Sequence, residues 1–315
     1  MALKVGVLVP TREAVLQGAK DADALLAFAE RAEHHGFDSV WVGDSLLARP
    51  RHEPMTLLAA IAARTKRVEM GTAVLISPLR NPMALAQAAA TVDQISHGRL
   101  ILGLGMASAG KAIQDEFTAV GVPHDKRAGR MREALKLLPQ LWTGKPMTFQ
   151  GRYWSLDNAT LLPAPIRPGG PLLWVGGSGP FSLKCAGELS SGWFPNCPTP
   201  AAYREGWQGV AAAAKAAGKP MPTKALYYTV TIDNHPKKAE ADMKAFMERY
   251  YPMRYEESVK RQGCVAGTLE TVLAGCKAFL AEGVEHLVLR FGSADQAGQL
   301  ERAAKELLPR LRALK

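Results

Sequence analysis

The segment Gly36–Pro54, GFDSVWVGDSLLARPRHEP, runs from an apolar stretch straight into a loop carrying Asp44, Arg49, Arg51 and His52. Asp44 and His52 are its acid–base candidates. A histidine with an ordinary pKa of ~6.5 can carry a proton at neutral pH. A carboxylate beside a guanidinium stays ionised, so it positions rather than donates. Two arrangements suit these residue types. In one, Asp44 faces a site, Arg51 and His52 fold back over it, and Asp44 orients His52. In the other, Asp44 caps amides of its own loop and His52 faces solvent. A second stretch, Gly176, Gly177, Ser178 and Gly179, stands between an apolar run and a helical pattern. Free amides at a helix start, with the Ser178 hydroxyl, predict an anion site, phosphate above all; a plain turn is the other reading. Gly71, Thr72 and Ala73 leave room for a flat ligand, or fill a core layer. Gly103–Gly110, GLGMASAG, reads as a backbone-lined rim or a tight turn. It is not the dinucleotide fingerprint, which opens a helix after a first strand.

Other chemistries find little support. The four cysteines, at 185, 197, 264 and 276, form no C-x-x-C pair, and no H-E-x-x-H spacing occurs. No metal site is therefore expected. Ser45 and Ser178 lack the G-x-S-x-G elbow of serine hydrolases. The formal net charge is +10, but the basic residues are interspersed with 29 acidic ones. A nucleic-acid binder would gather its charge on one face among aromatic platforms. Attraction for a phosphorylated cofactor or an anionic substrate is the milder consequence of this excess. No run reaches the ~20 apolar residues of a membrane helix, and MALKVGVLVP begins like a strand rather than a leader. A cytoplasmic protein without membrane or nucleic-acid partners is expected.

The elements that must position these residues follow one beat. Eight apolar runs, Leu3–Val9, Asp38–Gly43, Arg67–Leu75, Arg99–Leu104, Leu172–Gly176, Gly192–Pro195, Lys224–Ile232 and Glu285–Phe291, are nearly all followed by helical patterns. Near-continuous apolar strands suit a parallel sheet covered by helices. Eight such units predict an α/β fold, a single (β/α)8 TIM barrel domain over residues 1–315, with insertions at 105–125, 148–161 and 251–266. Residues 148–161 alternate like a hairpin, and 251–266 are expected to be irregular. Active sites of such barrels lie at the C-terminal strand ends. Asp44, Thr72–Pro78, Gly103–Gly110, Gly176–Pro180, Asn196 and Arg290–Ser293 all leave such ends.

The combination of GFDSVWVGD, TAVLISPLRNPMALAQAAATVDQISHGRLILGLG, PLLWVGGSG, GWFP and the late GTLETVLAGCKAFLAEGVEHLVLRF resembles the bacterial luciferase-like flavin monooxygenase superfamily over nearly the whole chain. That resemblance implies FMN or the deazaflavin coenzyme F420 at the barrel mouth. The ring would lie on a bulge at Thr72, Ala73 and Val74, with a non-proline cis peptide at Ala73–Val74. Gly105, Met106 and Ala107 would flank the ring or its side chain. The phosphate would sit at Gly176, Gly177, Ser178 and Gly179, and Arg290 is a further anion-binding candidate. Many relatives place His where this chain has Ser45, so His52 would have to supply the proton-handling group or none is present. No Lys follows GWFP to hold a phosphate as in some deazaflavin dehydrogenases, which favours FMN. Three functions fit the resemblance. The first is an FMN-dependent oxidoreductase or monooxygenase acting on a small organic substrate, served by a separate flavin reductase. The second is a deazaflavin-dependent hydride-transfer enzyme, and the third a non-catalytic flavin-binding relative. A homo-oligomer, dimer or tetramer, is expected.

Overall fold

Strand β1 (Lys4–Leu8) is buried from Val5 onward. It has a parallel neighbour on each side, which is why both of its faces are apolar. Around it stand β2 (Ser39–Val42), β3 (Glu69–Thr72), β4 (Leu100–Gly105), β5 (Leu172–Gly176), β6 (Gly192–Phe194), β7 (Thr223–Ile232) and β8 (His286–Phe291). Each pairs in parallel with the next. Pairing of β8 with β1, and of Thr223 with Gly192 between β7 and β6, closes the ring. The fold is a (β/α)8 barrel, as the eight beats predict. The computed structural model describes residues 2–251 and 253–314. Met1, Lys315 and Pro252, the last within the predicted 251–266 insertion, lie outside the described residues.

The covering helices start where local chemistry allows. Pro54, Pro82, Pro180, Pro200 and Pro236 occupy first turns, where a missing N–H costs nothing. Glu53, Asn81 and Thr199 accept from amides of the turns they precede. Among the described residues no helix is long and apolar enough to cross a membrane.

Two departures from the sequence reading matter for the site. A short helix, Thr11–Leu16, follows β1 and brings Arg12 and Glu13, both buried, to the barrel rim. Its six residues are too few to show a helical period. The segment 251–266 is not wholly irregular: Tyr255–Ser258 is helical, and Cys264–Gly267 is a strand beside Thr229–Ile232. The cause is length. β6 has three residues against ten in β7, so the upper half of β7 needs another partner for its ladder groups. Met147–Gln150 and Ser155–Ala159 form the predicted antiparallel hairpin.

Inside the barrel Leu8, Trp41, Ile101, Trp174, Phe194, Ala225 and Val288 form one cluster drawn from seven of the eight strands. Trp41 and Trp174 stack at 5.1 Å between centroids. Trp41 Nε1 donates to Ser39 Oγ, which lies 2.7 Å from Nε2 of His286. Burial, with the Lys4 charge adding, pushes His286 down to about 3. The imidazole is therefore neutral in the fold, with Nε2 free to accept the Ser39 proton. A histidine depressed in the folded state and near ~6.5 when unfolded binds its proton only on unfolding. Its contribution to stability is full above that unfolded value and is lost as pH falls toward the folded one, by about 1.4 kcal/mol per pH unit. His286→Gln is expected to flatten the fall in stability below pH ~6.5 by about one proton. Urea unfolding at a series of pH values reads this slope, and an unchanged slope rules it out.

Candidate active site at the barrel mouth

A cavity of about 390 Å³ opens above the aromatic cluster, at the C-terminal ends of the strands. Its floor begins where β3 ends. The Ala73–Val74 peptide is cis, and beyond it Leu75–Ile76 rejoins the sheet beside Leu104–Gly105. Ala73 and Val74 face the cavity. Thr72 does not line it: fully buried, it donates from Oγ1 to the Gly103 carbonyl at 2.6 Å and ties β3 to β4. Val74 explains two of the glycines around it. A Cβ on Gly105 would stand 2.5 Å from Val74 Cγ2, and one on Gly176 would stand 2.9 Å from Val74 Cγ1. Only glycine leaves room for the bulge to enter the mouth.

Gly105, Met106 and Ala107 line one side, and Gly176, Gly177, Ser178 and Gly179 another. Gly177 has φ +98°, a left-handed conformation that glycine adopts without penalty. Trp193 Nε1 donates to the Gly177 carbonyl at 2.9 Å and holds the turn. The helix Pro180–Leu189 starts at Gly179 without a side-chain cap, so its first amides are left for another acceptor.

Asp44 lines the cavity, as the first arrangement has it, but its partners are those of neither arrangement. Its carboxylate takes Arg80 in a two-pronged pair, Nη1 to Oδ2 at 2.6 Å and Nη2 to Oδ1 at 2.9 Å, and Oδ2 also accepts from the Ile76 amide at 2.8 Å. Its partner is thus Arg80, not Arg51, and it caps the strand after the bulge rather than its own loop. The loop's own cap is Glu116, from the helix Lys111–Ala119. Its Oε1 accepts from the Ser45 hydroxyl and the Leu47 amide, each at 2.9 Å, and from the Leu46 amide. Ser45 Oγ in turn accepts from the Arg49 amide at 2.9 Å. Ser45 therefore ties the loop together and has no proton to spare. His52 is not among the residues lining the cavity, and its Nδ1 is buried without a partner. Arg51 does line the cavity and donates to the Tyr250 hydroxyl at 2.9 Å.

Arg290 is a correction of another kind. It is 1% exposed and does not reach the cavity wall. It donates to Tyr251 OH at 2.8 Å, Thr229 Oγ1 at 3.0 Å and Gln262 Oε1 at 3.1 Å. It backs the two tyrosines that line the mouth. Sequence reasoning missed Phe194, Tyr227, Tyr250, Tyr251, Arg80 and Glu116. Arg80 carried a signal, since it lies within the SPLRNP stretch after β3. The two tyrosines carried none, because nothing local says that the end of the Pro236–Tyr250 helix folds over the barrel. Burial raises the Tyr227 phenol well above its ordinary range, with Arg290 partly opposing, so it remains a neutral wall group.

The profile of the luciferase-like monooxygenase family matches residues 3–286. The chain belongs to this family. It is an enzyme of the oxidoreductase class, as the resemblance implied. A curated relative, the F420-dependent glucose-6-phosphate dehydrogenase of Amycolatopsis mediterranei (strain U-32), is 31% identical over 322 residues, covering 92% of this chain and 95% of that one. Among solved structures, an F420-dependent secondary alcohol dehydrogenase in complex with an F420–acetone adduct superposes with a TM-score of 0.83, at 23% identity over 98% of this chain and 99% of that one. The oxygenating constituent of 3,6-diketocamphane monooxygenase from Pseudomonas putida, in complex with FMN, superposes with a TM-score of 0.77 at 21% identity, over 98% and 99%. At those identities the two structures speak to the fold alone.

Proposed function

We propose that this luciferase-like chain is a deazaflavin-dependent oxidoreductase, moving hydride between coenzyme F420 and a small organic substrate. The observation that carries the reading is the full-length likeness to an F420-dependent dehydrogenase. On this reading F420 takes the place of the FMN that the missing Lys after GWFP favours, and a hydride transfer from F420 would need no separate flavin reductase. The residues present fit a flavin-type group. Ala73 and Val74 would hold the ring, with Gly105, Met106 and Ala107 along its side chain. The uncapped helix start at Gly176–Gly179, with the Ser178 hydroxyl, would hold the phosphate. A cavity whose glycines keep side chains out is what a backbone-bound cofactor requires. When bound, the deazaflavin would supply two-electron hydride chemistry without oxygen.

The chain's own residues supply orientation and dryness. The Asp44–Arg80 pair and the Glu116 cap hold the β2 loop against the bulge. Phe194 and Tyr227 close the floor, and Tyr250 and Tyr251 wall the mouth, which keeps water from the reacting atoms. Titrating the purified protein with F420 and with FMN, followed by ligand fluorescence, tests the reading. F420 is expected to bind at least ~10-fold tighter, about 1.4 kcal/mol. Tighter binding of FMN would overturn it in favour of the FMN-dependent enzyme.

A further inference from the structure

Four guanidinium groups cluster about Tyr250 and Tyr251 on one side of the mouth, and among the described residues none of them sits in an ion pair. Arg12 Cζ lies 4.7 Å and Arg290 Cζ 4.8 Å from the centroid of the Tyr250 ring, and Arg51 Cζ lies 5.8 Å from it. Arg49 Cζ stands 5.1 Å from the Tyr251 ring. Aromatic faces solvate cations, which lets the four stay charged so close together. They do not replace a counter-ion. Among the described residues none of the four forms an ion pair: their hydrogen bonds run to Tyr, Thr, Gln, Met and backbone acceptors. Burial pushes the Glu13 carboxyl up, with Arg290, Arg51 and Arg12 only partly opposing, and its Oε1 has no partner.

Two of the four have unused donors. Arg12 is 8% exposed, and its Nε and Nη1 are buried with no acceptor. A buried donor left unsatisfied costs ~1–3 kcal/mol; Arg12 itself stands behind the wall and is not among the residues that line the cavity. The Arg49 side chain makes no hydrogen bond among the described residues, yet it lines the cavity beside Arg51. A free planar fork of this kind suits two oxygens of a carboxylate or phosphate.

Position separates this cluster from the cofactor's phosphate seat. Arg12, Arg49, Arg51 and Arg290 belong to the β1, β2 and β8 sector of the ring. Gly176–Gly179 follow β5, which is four strands from β1 in either direction. The two anion-favouring places face each other across the mouth.

We propose that Arg49 and Arg51 seat an oxyanion, phosphate or carboxylate, carried by the substrate, with Arg12 and Arg290 fixing the field behind them. The enzyme then selects anionic substrates. The inference rests on the reading that this cavity is the active site, and its test separates the two.

The first arm needs no cofactor. Inorganic phosphate, titrated at constant ionic strength and followed by calorimetry, is expected to bind saturably. Arg49→Gln should weaken it at least ~10-fold, and Arg12→Gln should weaken it in the same direction. Arg49→Gln should leave F420 affinity within about twofold. Because Gly176–Gly179 can also take phosphate when no cofactor is added, a phosphate stoichiometry and affinity that are both unchanged in Arg49→Gln overturn the seat. A loss of F420 affinity equal to the loss of phosphate affinity also overturns it, because the arginines would then serve the cofactor's own anionic tail. The second arm is turnover with F420 on matched pairs, a sugar or hydroxy compound and its phosphate or carboxylate. The anionic member is expected to be preferred, and Arg49→Gln should erode the preference through KM with kcat nearly unchanged. A preference for the neutral member refutes the proposal. Arg49-dependent phosphate binding in a protein that does not bind F420 would support the seat and refute the cofactor reading alone.

Discussion

Asp44→Asn is expected to destabilise the protein by about 3 kcal/mol, at the lower end of what removing one partner of a buried ion pair costs. The Asp44 side chain is 2% exposed and that of Arg80 17%. Asparagine would still accept from one donor, but it would leave the Arg80 guanidinium with no full counter-charge except Glu53, which is 44% exposed and 3.5 Å away. Partial access of Arg80 to water is why the lower end applies. The pair also clamps the β2 loop to Ile76, just past the Ala73–Val74 bulge, so the cavity floor should loosen with it. Denaturant unfolding of Asp44→Asn, Arg80→Gln and the double variant measures the coupling. Residues sharing one buried pair should couple by more than ~1 kcal/mol. A single Asp44→Asn variant as stable as the wild type would show that the clamp carries no energy.

Gly177→Val is expected to weaken cofactor binding by at least ~100-fold, about 2.7 kcal/mol. Two costs act together. At φ +98° a β-branched residue is strained, and its Cβ would stand 3.0 Å from Ser182 Oγ and 3.4 Å from Ser182 Cβ. The turn would have to shift, and with it the amides that the cofactor's phosphate would meet. Gly179→Ala is the matched control, since its φ is −75° and an added Cβ meets nothing within 4 Å. It should fold like the wild type. Cofactor titration decides the matter. Equal affinity in Gly177→Val and wild type would move the phosphate site elsewhere.

The sequence by itself determined the barrel and much of its mouth. Eight apolar runs separated by helical patterns admit few arrangements, because a parallel strand buried on both faces needs neighbours and a covering helix. The glycine at 177 was legible for a local reason, since a turn with positive φ selects that residue type, while those at 105 and 176 mark where the Val74 side chain enters. Those positions lie where the sequence places them, around one cavity. Tertiary structure decided the partners. Asp44 stands in one loop with Arg49, Arg51 and His52, yet its partner is Arg80, 36 residues on, because β2 and β3 are neighbours and their ends converge. Ser45 answers to Glu116 through a helix 71 residues away. Arg290 looked like a ligand-facing cation at a strand end, but Met247 of the helix Pro236–Tyr250, together with Tyr251 and Gln262, takes its guanidinium and turns it into a support for Tyr251. Charge and burial are properties of neighbours in space, and adjacency along the chain sets them only within a turn or a strand. So element type and the special backbone positions can be read locally, while the pairing of every charged group at this mouth was settled by which elements the closed barrel brought together.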